Sequence, residues 1–157
     1  MQVINDFSTS VRKALDEIDP NWDQYEGLII CGTHTPQDTE KIISTIHLAR
    51  TTHTPTLGIC AGLQLMAIEY SRNVLGIEDA TSEEFGEGTF VVEKLPALNV
   101  GLKDGESYWN NYAVRPDILE KMAKDLFSPK FMGVQFHPEY QSSSHKPHKL
   151  LLTFINE

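Results

Sequence analysis

Apolar residues fall into two kinds of run along this chain. The first kind is short and unbroken: "EGLIICG" (26–32), "PTLGIC" (55–60) and "FMGVQFH" (131–137). Each is too short for a helix and is flanked by Gly or Pro, so each reads as a strand buried on both faces. "MQVIN" (1–5) is a first strand of the same kind. The second kind repeats every three or four residues. Val11, Leu15 and Ile18 put one apolar face on a helix over 8–18. Thr35 as cap, Pro36 in the first turn and Asp38 three residues after the cap open a second helix. Its apolar stripe is Ile42, Ile43, Ile46 and Ala49. A third helix spans 61–75 and ends at Gly76. Pro116 opens a fourth, to about 126, and a fifth closes the chain over 147–156. "GTFVVEKL" and "ESYWNNYAV" read as further strands, with turns at Pro96 and at Asp104-Gly105. Helices alternating with short buried strands predict an α/β fold: three layers, with a mostly parallel open sheet flanked by helices. In such sheets the ligand site lies at the carboxyl ends of the strands.

Composition narrows the function. A chain of 157 residues is expected to form a single domain over 1–157. The formal net charge of −9 argues against nucleic acid and against an anionic membrane surface, because both need clustered Lys and Arg. No apolar run approaches the ~18 residues of a membrane span, and "MQVINDFS" has no export signal. The cysteines, Cys31 and Cys60, both lie in apolar stretches, which fits a reducing cytoplasm. The six His are scattered, and there is no Gly-Lys dipeptide and hence no P-loop. Neither a metal nor a cofactor is expected.

One pentapeptide carries chemistry. Gly58-Ile59-Cys60-Ala61-Gly62 sits where a strand should turn into a helix. Small flanking residues allow a sharp turn that lifts the middle side chain above the sheet. A thiol there lies at a helix N-terminus, which favours the thiolate, and the N–H of Ala61 is placed to donate to an oxyanion. Alone, the motif also fits a small core thiol between turn glycines. "GVQFHPEY" adds His137 and Glu139, two residues apart and expected on one side of an extended segment. Glu139 would then orient His137, and His137 would take the proton of Cys60. The acid follows the histidine, which disfavours an esterase-like α/β-hydrolase, where the acid comes first.

With the elbow Cys60-Ala61-Gly62-Leu63-Gln64 and with Phe136-His137-Pro138-Glu139, the chain resembles a class I glutamine amidotransferase. Within that family it is most similar to the glutaminase domains of CTP synthases. The likeness is dense over 55–85 and returns at "YAVRPDI", "GVQFHPEY" and the closing helix. The resemblance implies a flavodoxin-like amidotransferase fold. It also implies thiol attack on the side-chain amide of glutamine, giving glutamate, with ammonia passed to a separate synthetase partner. Cys60 would be the nucleophile, His137 the general base and acid, and Glu139 the orienting carboxylate. Gly32, Thr33 and Ala61 would form the oxyanion hole. Gln64 would lie beside the substrate, and Glu84 would hold its α-amino group.

The chain departs from the family pattern in two stretches. Where the family has a Gly-Gly-rich oxyanion turn, this chain reads Cys31-Gly32-Thr33-His34-Thr35. Where it has a basic run ending in an Arg for the substrate carboxylate, this chain reads Tyr108-Trp109-Asn110-Asn111. Asn111 stands in place of the Arg, and Trp109 and Asn111 become candidate substrate contacts. Two alternatives follow: a hydrolase of another γ-glutamyl amide, or a catalytically silent binding or regulatory module.

Overall fold

The computed structural model describes residues 1–5 and 9–156. Four strands form a wholly parallel sheet: β1 (Gln2–Ile4), β2 (Leu28–Ile30), β3 (Thr56–Ile59) and β7 (Phe131–Val134), in the order β1-β2-β3-β7. Successive residues of a strand face opposite sides, so each strand feeds two cores. Leu28 and Ile30 point to one core, with the stripe of α2 (Thr39–Thr51) and most of α3 (Ala61–Asn73). Ile29, Cys31, Leu57 and Ile59 point to the other, against α1 (Thr9–Ile18) and α5 (Lys149–Asn156). The unbroken apolar runs are thus explained: a strand covered by helices on both faces has no polar side to show.

α3 is buried from Gly62 through Ser71. On its far side lies a smaller sheet, β4 (Ala80–Ser82), β5 (Thr89–Lys103) and β6 (Glu106–Val114), with α4 (Pro116–Asp125) beside it. The three-layer parallel architecture is as expected from the pattern; the separate second sheet is an addition to it. Inside the packing, Arg50 of α2 donates at 2.7 Å to Glu69 of α3, whose side chain is only 1% exposed. His47 and Asn73 complete the partners of that carboxylate.

The first helix is described from Thr9, and Ser8, its expected start, lies outside the described residues. Other boundaries differ from expectation. α2 begins at Thr39, not near Thr35. Asp38 precedes it in the left-handed region at φ 53°, and the Thr35 N–H donates instead to Thr33 Oγ1 at 3.1 Å. That local bond keeps 33–35 as loop. α3 stops at Asn73, ahead of Gly76. Pro96 makes no turn, because β5 runs on to Lys103. Lys94 faces Tyr112 and Asn99 faces Asn110, so the residues between bulge out of β5 opposite Asn111. Proline has no ladder donor, and a bulge tolerates that loss. The turn at Asp104-Gly105 is as read: both have positive φ, 53° and 80°, the signature of a tight hairpin.

Candidate active site

The carboxyl ends of β2, β3 and β7 meet at Cys60. β3 ends at Ile59 and α3 begins at Ala61, so Cys60 alone makes the turn, at φ 54°, ψ −105°. A non-glycine residue there is strained by about 1–3 kcal/mol, and such strain gathers at functional sites. The flanking glycines let it happen. A Cβ on Gly62 would stand 2.1 Å from the carbonyl oxygen of Ile30, and one on Gly58 would stand 2.8 Å from the backbone carbon of Gly62. Helix and strands therefore pack closer than any side chain permits. The Cys60 N–H donates to Val134 O at 2.8 Å, tying the elbow to β7.

His137 and Glu139 come to Cys60 by a different route from the one expected. β7 ends at Val134, and Glu139 lies in a short 3-10 turn, Pro138–Gln141, rather than in an extended segment. Proline at the first position of that turn favours it. The pairing survives: His137 Nδ1 lies 3.3 Å from Glu139 Oε2, with both side chains buried. The His137 N–H donates to Ser107 O at 2.7 Å, and its ring stacks on Tyr140 with centroids 4.9 Å apart. The second carboxylate oxygen of Glu139 is buried with no hydrogen-bond partner among the described residues, which leaves His137 as its counter-charge. Burial pulls the imidazole toward neutrality. Its hydrogen bonds to Cys60 and Glu139 outweigh that and hold its pKa at about 9.

A cavity of about 480 Å³ opens over the thiol. Cys60, His137, Glu139, Ala61, Gly32, Thr33, Gln64, Glu84, Trp109 and Asn111 all line it, so every residue singled out in the sequence meets in one place. The N–H of Ala61 is among the first four of α3 and has no intrahelical acceptor. Gly32 is pressed against the thiol and the imidazole: a Cβ there would lie 3.0 Å from His137 Cε1 and 3.3 Å from Cys60 Cβ. Glu84 is half-buried, and burial raises its carboxyl pKa.

Some contributors were not legible in the sequence. Gln135 Nε2 donates to Cys60 Sγ at 3.4 Å, and its Oε1 lies 3.4 Å from Gln64 Nε2. Gln64 Nε2 also donates to Tyr112 O at 2.9 Å. The Trp109 carbonyl lies 3.7 Å from Cys60 Sγ, and its indole, half-exposed, leans on His34 with ring centroids 5.6 Å apart. Trp109 is therefore no core residue. Asn110 is buried and bonded within the hairpin, to Asn99 of β5 and to Tyr112 O of β6. A signal for Gln135 was present: it stands two residues from His137, just past the strand.

The family profile of glutamine amidotransferase class-I matches residues 4–156. Over 175 residues the chain is 34% identical to a CTP synthase of Methanoculleus marisnigri, covering 83% of this chain and 33% of that protein. Over 203 residues it is 27% identical to a CTP synthase of Geobacter sulfurreducens, covering 98% of this chain and 38% of that one. The chain thus spans little more than a third of the curated relatives it matches. Among solved structures, the glutaminase domain of Trypanosoma brucei CTPS with bound acivicin aligns with a TM-score of 0.78 at 20% identity, over 97% of this chain and 90% of that one. That likeness extends to the fold alone, a mostly parallel sheet flanked by helices. By its profile match along nearly the whole length, the chain belongs to the class I glutamine amidotransferase family.

Proposed function

We propose that residues 1–157 act as one amidotransferase domain that hydrolyses the side-chain amide of glutamine through a thioester on Cys60. The observation that carries this reading is the strained elbow thiol facing the buried His137–Glu139 pair across one cavity. In the first step the Cys60 thiolate adds to the amide carbon, with Ala61 N–H and the Gly32-Thr33 backbone receiving the oxyanion. The protonated His137 gives its proton to the departing nitrogen, and ammonia leaves. In the second step His137 accepts a proton from water, which attacks the thioester and frees glutamate and the thiol. Glu139 keeps the imidazole oriented and its positive charge stabilised. Gln64 and Gln135 hold the reacting atoms in place, and Glu84 faces the substrate ammonium.

Ammonia would pass to a separate synthetase. The relatives that support such a partner are CTP synthases, of which the chain covers about a third. A reducing cytoplasm suits a catalytic thiol. A second reading, hydrolysis of a different γ-glutamyl amide, is favoured by Trp109 and Asn111, which stand in the cavity where the family pattern has a basic run.

The test is release of glutamate and ammonia from glutamine, with labelling of Cys60 by an electrophilic glutamine analogue. Wild-type protein should do both and Cys60→Ala neither. Turnover by Cys60→Ala near the wild-type rate would refute the thioester route. Absence of both labelling and release from wild type would favour the silent-module reading. Stimulation by an added synthetase would support the ammonia partner.

A further inference from the structure

The charges around the cavity bear on which glutamine it takes. Among the described residues no Lys or Arg lines it. Outside the Cys60–His137–Glu139 set, its chargeable groups are Glu84, His34 and the tyrosine phenols. Glu84 has no salt-bridge partner among the described residues and is suited to a substrate ammonium. A free α-carboxylate finds no such match. The amide of Asn110 is already committed to Asn99 and Tyr112, which leaves neutral donors such as the amide of Asn111 and the hydroxyls of Ser10 and Thr33. His34 is exposed and lies against Trp109, so water screens whatever charge it carries. A carboxylate moved from water to such a wall loses hydration without a charged partner.

The rim has a second feature. Trp109 lies directly across from Val100 in the β5–β6 register, so their side chains share one face of the hairpin. They are 50% and 48% exposed. An apolar ledge therefore continues from the cavity wall at Trp109 outward to Val100, which lies beyond the cavity lining.

We propose that the substrate is a glutaminyl unit with a free α-ammonium and a masked α-carboxyl, as in a glutaminyl amide or an N-terminal glutaminyl peptide. Its ammonium faces Glu84, its side-chain amide meets Cys60, and the group beyond its α-carbonyl lies on the Trp109–Val100 ledge. This rests on the thioester reading above. The bond changes are the same: the side-chain carbon–nitrogen bond breaks, a carbon–sulfur bond forms and ammonia leaves. Water then leaves a glutamyl side-chain carboxylate with the α-amide intact.

The experiment compares kcat/KM for L-glutamine, L-glutaminamide, glutaminyl-leucine and N-acetylglutamine, reading ammonia release and the product mass. Glutaminamide and glutaminyl-leucine should exceed L-glutamine by about tenfold or more, the scale of a missing charge-assisted contact, and N-acetylglutamine should be the poorest. Asn111→Arg should raise kcat/KM for L-glutamine by about tenfold and erase the preference. L-glutamine turned over as well as either amide would overturn this inference while leaving the thioester reading intact. Ammonia from none of the four would overturn both.

Discussion

At the scale of single residues, Cys60 and His137 form one electrostatic unit. The imidazole is buried, which by itself would leave it neutral, yet the thiol and Glu139 hold its proton to about pH 9. A histidine whose pKa is raised on folding binds its proton more tightly in the native state, so its contribution to stability is complete below the unfolded value of about 6.5. Stability is then lost as pH rises through 9. Urea denaturation of wild type and His137→Gln across pH 6 to 10 should show a gap in midpoint that narrows over that window. A gap constant with pH would mean that His137 is not protonated in the native protein. The sequence named Cys60, His137 and Glu139 because their chemistry is written in residue type and spacing. It did not reveal what Gln135 and Asn110 bond to, because an amide becomes informative only when its partners are known.

At the scale of elements, the elbow depends on how closely α3 lies on β2. Gly62 is the contact point, with Ile30 O only 2.1 Å from any Cβ placed there. Because that atom is backbone, no rotamer change relieves the clash. Gly62→Ala should push the helix off the strand and cost at least the 1–3 kcal/mol typical of overpacking. Chemical denaturation measures the loss, and the displaced Cys60 should also label more slowly with an electrophile. A variant as stable as wild type would show that the helix has room to spare. The strands and helices themselves were legible from apolar periodicity. Boundaries were less so: Thr35 and Pro36 read as a helix start, but the Thr33 hydroxyl captures the Thr35 N–H and keeps the segment as cavity wall. Pro96 reads as a turn, but the partner strand lets it sit in a bulge.

At the scale of the molecule, stability and function are divided between two regions. β2 and β3 are central in the parallel sheet, with all their residues buried between helical layers. The β5–β6 hairpin is more exposed, with Leu102 66% exposed, although Glu106 near its tip is tied to His148 at 2.8 Å, and the hairpin supplies Trp109 and Asn111 to the cavity. Native-state hydrogen exchange should therefore be slowest at Leu28–Ile30 and Thr56–Ile59 and roughly hundredfold or more faster at 100–106. Equal protection in the two regions would mean that the hairpin opens only with the whole fold. Under the proposed function, a nucleophile at the end of the buried sheet and a substrate wall on the more exposed hairpin would allow the wall to vary without disturbing the thiol.

Local order and reactive chemistry could be read along the chain, because both are encoded in neighbours. Buried strands, amphipathic helices and a glycine-flanked thiol depend on residues a few positions apart. The composition of the cavity could not be read that way. It joins the loop after β2, the elbow, the segment after β4, the β6 strand and the turn after β7, which lie far apart in sequence. Only packing decides which of their side chains face one another. Asn111 in place of the family Arg already raised in the sequence the question of which glutamine is taken; packing alone decided that, among the described residues, no lysine or arginine lines the cavity and Glu84 has no salt-bridge partner there.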